Sequence, residues 1–139
     1  VLPNYIKKSI KMKYIKLFEN FDENKIKSDL QDIFVELIDN GFVVNVSTHL
    51  VNLDDNIEFE FKKKGGSNFK YQDIKEYVLM ALDYIETLWG GIDVEYKTEK
   101  RVDTFGFTQY ITSGYRKYTD GKLIDDADVC NIKMEIYKQ

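Results

Sequence analysis

Apolar residues at Ile26, Leu30, Ile33, Phe34, Leu37 and Ile38 recur at helical spacing, with Lys27, Asp29, Gln31, Asp32, Glu36 and Asp39 on the opposite side. This pattern predicts an amphipathic helix lying on a core. Asp22 and Glu23 suit its positive end, and Asn40-Gly41 suits a left-handed stop. At Phe42 the period changes to two. Phe42, Val44, Val46, Thr48 and Leu50 share one face, and Val43, Asn45, Ser47, His49 and Val51 share the other. After a turn at Asp54-Asp55-Asn56, Ile57, Phe59 and Phe61 alternate with Glu58, Glu60 and Lys62. The two runs predict an antiparallel hairpin with one buried face.

The run Lys62 to Asn68 is a loop, with Ser67 or Asn68 placed to cap a second helix from about Lys70 to Trp89. That helix carries Ile74, Val78, Ala81, Leu82, Ile85 and Leu88 on one stripe and stops at Gly90-Gly91. Trp89 and Tyr77 are placed to extend an apolar patch on it. Three further strands follow. Ile92, Val94 and Tyr96 mark the first, Phe105, Phe107, Gln109 and Ile111 the second, and Cys130, Ile132, Met134 and Ile136 the last. Between them, Ser113 to Asp128 is less periodic, with a turn at Asp120-Gly121.

The expected architecture is a single α+β domain over residues 1–139, with two amphipathic helices on one face of a mainly antiparallel sheet of about five strands. If Tyr14 to Phe18 forms a strand, residues 12–97 follow the ferredoxin-like order βαββαβ. Residues 1–24 read as a leader or N-terminal extension. Strand order and oligomeric state are not legible at this level.

Composition narrows the function classes. One cysteine excludes an internal disulfide framework and a multi-cysteine zinc site. No apolar run reaches membrane-spanning length, and the lysine-bearing N-terminus has no apolar h-region, so a cytoplasmic setting is expected. The net charge of −4 disfavours general nucleic-acid affinity. Basic residues are 18 Lys against 2 Arg, and with abundant Ile, Asn, Tyr and Phe they indicate an AT-rich genome.

Few residues carry chemistry. His49, the single histidine, lies on the polar face of its strand without a nucleophile, carboxylate or metal partner at motif spacing. Cys130 falls on an apolar face, where cysteine acts as a small hydrophobe. An enzyme centred on His49 with Cys130 or a carboxylate is the third reading, after protein binding and nucleic-acid binding, and a Cys130–His49 pair between neighbouring strands has no local support. Asp54-Asp55 and Asp125-Asp126 with Asp128 do not fit a calcium loop, and neither Gly pair sits in a phosphate-binding motif. No metal or cofactor is expected. Lys62, Lys63 and Lys64, with Tyr110 and Tyr115, form the nearest approach to a base-stacking nucleic-acid surface. "FGFTQY" echoes an RNA-recognition signature without its leading basic residue, and Glu58, Glu60, Glu95 and Glu99 oppose phosphate nearby.

Read from Met12, the chain begins MKYIKLFENF. This stretch resembles the N-terminus of many small proteins of large tailed phages. It is also similar to the short head-targeting leaders of phage internal proteins, which are cut after Glu in a Leu/Ile-x-Glu context. Leu17-Phe18-Glu19 matches that pattern, so the resemblance implies processing after Glu19 and packaging in the head. Val1 to Lys11 then reads as upstream sequence. The competing reading is a helix with Ile6, Ile10, Tyr14 and Leu17 on one side. The expected function is that of a small non-enzymatic phage accessory protein that binds another protein in the host cytoplasm or the virion. The alternative is a single-stranded nucleic-acid-binding module.

Overall fold

A computed structural model describes residues 23–49, 56–119 and 128–139 of the chain. Residues 1–22 with the Leu17-Phe18-Glu19 pattern and the Tyr14–Phe18 segment, Asp54-Asp55, the Asp120-Gly121 turn and Asp125-Asp126 lie outside the described residues.

The first helical stretch is α1 (23–33), which continues through Phe34 into α2 (Val35–Asp39). Phe34 turns at φ −89° and ψ 1°, yet its N–H still donates to Leu30 O and its carbonyl accepts from Ile38 N–H. The helix therefore bends there without breaking. Ile26, Leu30, Phe34 and Leu37 are buried, whereas Ile38, expected on the same stripe, faces out. Gly41, at φ 93°, supplies the left-handed stop and leads into the sheet.

Strands β1 (Phe42–His49) and β2 (Asn56–Lys63) pair antiparallel, Val46 opposite Phe59. After β2 the chain enters a short 3-10 turn, Tyr71–Asp73, in which Asp73 accepts a hydrogen bond from Lys70 N–H. Helix α3 (Lys75–Trp89) follows, with Ile74 as its N-terminal flank. The expected cap by Ser67 or Asn68 is thus absent, because the helix starts later and Asn68 is occupied elsewhere. Ile74, Val78, Ala81, Leu82 and Ile85 are buried, but Leu88 is exposed, because the buried stripe passes from Ile85 to Trp89 four residues on and leaves Leu88 to one side. Tyr77 and Trp89 pack against the core as half-buried side chains. Tyr77 and Tyr84 donate to Glu36 and Asp29, each at 2.6 Å, and so tie α3 to the first helical stretch.

The remaining strands are β3 (Ile92–Thr104), β4 (Phe107–Thr112), β5 (Arg116–Lys117) and β6 (Asn131–Lys138). The sheet order is β1-β2-β6-β3-β4, with β5 also pairing β3. All pairs are antiparallel. The fold is α+β, as the periodicities predict. The centre of the sheet, between β2 and β3, is filled by β6, the last of the described strands, and the Tyr14–Phe18 segment on which a ferredoxin-like βαββαβ order depends lies outside the described residues.

One face of the sheet is apolar. Ile57, Phe59, Phe61, Ile132, Met134, Ile136 and Tyr96 are buried beneath the helices in one cluster. Phe34 meets Phe59 and Phe61 edge-on, with centroids at 5.1 and 5.2 Å, an arrangement aromatic quadrupoles favour. The other face, which no described element covers, is polar, with Glu58, Glu60, Lys62, Lys97, Glu99, Lys133 and Glu135 on it.

Candidate functional site

β6 stops pairing with β3 at Glu99–Asn131, while β3 runs on to Thr104 and folds back as β4. From Lys100 onward the β3–β4 hairpin is therefore a two-stranded arm beyond the main sheet. Every residue of β4 is exposed. The arm carries Phe107 at 74% exposure and Tyr110 and Ile111 each at 58%, with Phe105 at its tip 97% exposed. Phe105 was expected inside a strand. Instead Phe105-Gly106 is a two-residue turn with both backbones left-handed, at φ 49° and 80°. This is the twist-matched hairpin turn that favours Asn-Gly or Gly-Gly. Phenylalanine in this conformation costs about 1 kcal/mol or more. The sequence signal that could have revealed the turn is the single Gly106 between two alternating runs.

Three contacts hold the arm. Asn68 Nδ2 donates to Arg101 O at 2.9 Å and Arg101 N–H donates to Asn68 Oδ1 at 3.2 Å. The carboxamide thus mimics one further rung of the ladder where β6 has ended. Arg101 pairs with Asp103 at 3.2 Å, and Asp103 also accepts from Thr108 at 2.8 Å. The Thr108 and Arg101 hydrogen bonds hold the Asp103 carboxyl below the usual range.

At the base of the arm the edge strand contains a bulge. Thr112 opposes Glu99 and Arg116 opposes Tyr96, so Ser113, Gly114 and Tyr115 face only Lys97 and Thr98. The extra residue reverses the alternation and turns Tyr115 onto the uncovered face. There its hydroxyl donates to Glu135 at 2.7 Å and its ring lies 4.8 Å from the Lys97 ammonium. Tyr137 also donates to Glu135. These hydrogen bonds to a carboxylate, with some burial, push the Tyr115 and Tyr137 hydroxyls up to about 12. Glu60 accepts from Asn45 at 3.2 Å and Asn131 at 3.3 Å and lies 3.6 Å from Lys133. Burial opposes its charge, but these partners outweigh it and lower its pKa.

The residues proposed for a nucleic-acid surface are partly gathered. By register Lys62, Tyr110 and Tyr115 belong to the uncovered face. Lys64 lies in the turn after β2, and Lys63 turns to the other side, its ammonium 5.8 Å from the Phe42 ring centre. Glu58, Glu60, Glu99 and Glu135 stand on the uncovered face with them.

His49 and Cys130 are not brought together. His49 lies exposed in the row with Asn56 and Tyr137, while Cys130 precedes Asn131 at the far end of β6. Six strand residues separate those rows, roughly 20 Å, so the two side chains form no Cys-His pair. Cys130 is buried, and that burial, with Glu99 beside it, raises its thiol pKa. No group of three or more metal-ligating side chains occurs among the described residues, and none of their helices is long and apolar enough to cross a membrane. An open cleft of about 680 Å³ runs between α3 and β3, lined by Leu79, Leu82, Ile92 and Val94 together with Asp83, Glu86 and Asp93.

No protein-family model, curated protein or solved structure matches this chain.

Proposed function

We propose that the protein is a non-enzymatic accessory protein that binds another protein through the tip of the β3–β4 arm. The observation that carries this reading is Phe105, a large aromatic 97% exposed in a left-handed turn position. Backbone strain and aromatic exposure together lower the stability of the free protein, and both are offset when the ring enters a partner's pocket. The resemblance of MKYIKLFENF to phage leaders supports a setting in phage-infected cells or phage heads.

A photo-reactive residue at Phe105, compared with one at exposed Asp32 on α1, tests this in the native setting. Cross-links to one protein from position 105 alone, abolished by Phe107→Ser, are expected. Equal cross-linking from both positions would remove the arm from consideration.

A second reading, single-stranded nucleic-acid binding, is favoured by Lys62, Tyr110 and Tyr115 sharing the uncovered face. Against it, Tyr115 is already held by Glu135 and Lys97. Oligonucleotide binding at low ionic strength that weakens steeply with added salt would favour this second reading.

A further inference from the structure

The two outer edges of the sheet differ. Along β1, α1 flanks the edge, and its Lys27 and Gln31 share a cleft with Asn45 and Ser47. Among the described residues, none covers β4 in this way. From Phe107 to Tyr115 it carries no charge and no proline, the usual devices that keep an exposed edge from pairing.

The ladder shows which backbone groups β4 leaves open. Cys130 N–H donates to Glu99 O, and Asn68 brackets Arg101, so Glu99 and Arg101 turn their peptide groups away from β4. Lys100, Val102 and Thr104 consequently bond their partners Ile111, Gln109 and Phe107. By alternation, Thr108, Tyr110 and Thr112 present N–H and C=O groups to the outside.

We propose that β4 is the edge through which two copies of this chain join, antiparallel about a twofold axis at Gln109. In that register Thr108 of one copy exchanges backbone hydrogen bonds with Tyr110 of the other, using the open groups. Phe107 faces the second copy's Ile111 on the side of the sheet where both are exposed. Gln109 faces its own equivalent. The uncharged sequence places no like charges opposite one another, as self-pairing requires. The result is one sheet continuous through both copies, ending at the two helix-flanked β1 edges. In the same register position 105 comes opposite Ser113 of the second copy, so a cross-link from position 105 to a second copy reports this association, and one to a different protein reports the proposed function.

The test is sedimentation of the full chain over a wide concentration range, with substitutions at Gln109, whose side chain is exposed. A monomer–dimer equilibrium is expected for the unsubstituted chain. Gln109→Lys and Gln109→Glu should each weaken it by about fivefold or more, and mixing the two variants should restore dimers. Gln109→Cys should form an intermolecular disulfide on mild oxidation, because facing non-hydrogen-bonded positions lie about 4.5 Å apart. A chain monomeric at every concentration would overturn the proposal, as would a dimer unaffected by charge at position 109 or a Gln109→Cys variant that stays reduced.

Discussion

Asn68 and Arg101, 33 residues apart, are joined by a reciprocal pair of hydrogen bonds in which a side-chain amide stands in for a strand. Substituting Asn68→Ala should cost about 1 kcal/mol, because water reaches part of the site and can replace the lost partner. The effect should be local. Hydrogen exchange at the Arg101 amide should accelerate strongly, while the amide of Met134 in the central strand changes only with global stability. Equal acceleration at both would show that Asn68 does not act on the arm in particular.

Phe105→Asn should stabilise the protein by about 1 kcal/mol, since asparagine tolerates the left-handed turn that phenylalanine resists. A higher urea midpoint with unchanged slope is the expected reading. Lower stability would mean that the Phe105 ring makes contacts that outweigh its backbone strain.

Glu135 holds the hydroxyls of Tyr115 and Tyr137, and both folded pKa values rise to about 12. The folded state keeps these protons more tightly than the unfolded chain, whose tyrosines titrate near about 10. Their stabilising contribution is therefore complete below pH about 10 and is lost as pH climbs toward the folded values. In Glu135→Gln the two tyrosines should ionise earlier, which the ultraviolet absorbance of tyrosinate follows directly. An unchanged titration would remove Glu135 as the cause.

Cys130 is buried at the start of the central strand, with its thiol pKa raised by that burial and by Glu99. Alkylating reagents should modify it slowly in the folded protein and at the ordinary rate in urea. Fast modification under native conditions would place the thiol at the surface.

The helices and the buried face of the sheet were legible because their signals are local. Ile57, Phe59 and Phe61 alternate within one strand, and Ile26, Leu30, Phe34 and Leu37 repeat along one helical stripe. Periodicity failed at the ends of those stripes, at Ile38 and Leu88, because it cannot tell which of two neighbouring apolar residues, Leu37 or Ile38 and Leu88 or Trp89, turns toward the core. Topology was hidden for a different reason. Nothing in the sequence near Ile132 says that its neighbours will be Phe61 and Thr98, far apart in the chain. The candidate site was misread at Phe105 because an apolar residue in an alternating run looks like strand, and only its backbone conformation marks a turn.

The strand that closes the sheet, β6, is also the last described strand to be synthesised. Before it emerges from the ribosome, β1–β2 and β3–β4 are two hairpins whose inner edges have no partner. The pairs that β6 makes with both span long stretches of sequence, so loop closure must precede most of the core's stabilisation. The sheet therefore completes only after nearly all of these residues have been translated. A stalled or shortened product ending before Asn131 would expose Phe59, Phe61 and Tyr96 together with two open edges, a state prone to aggregation and open to degradation.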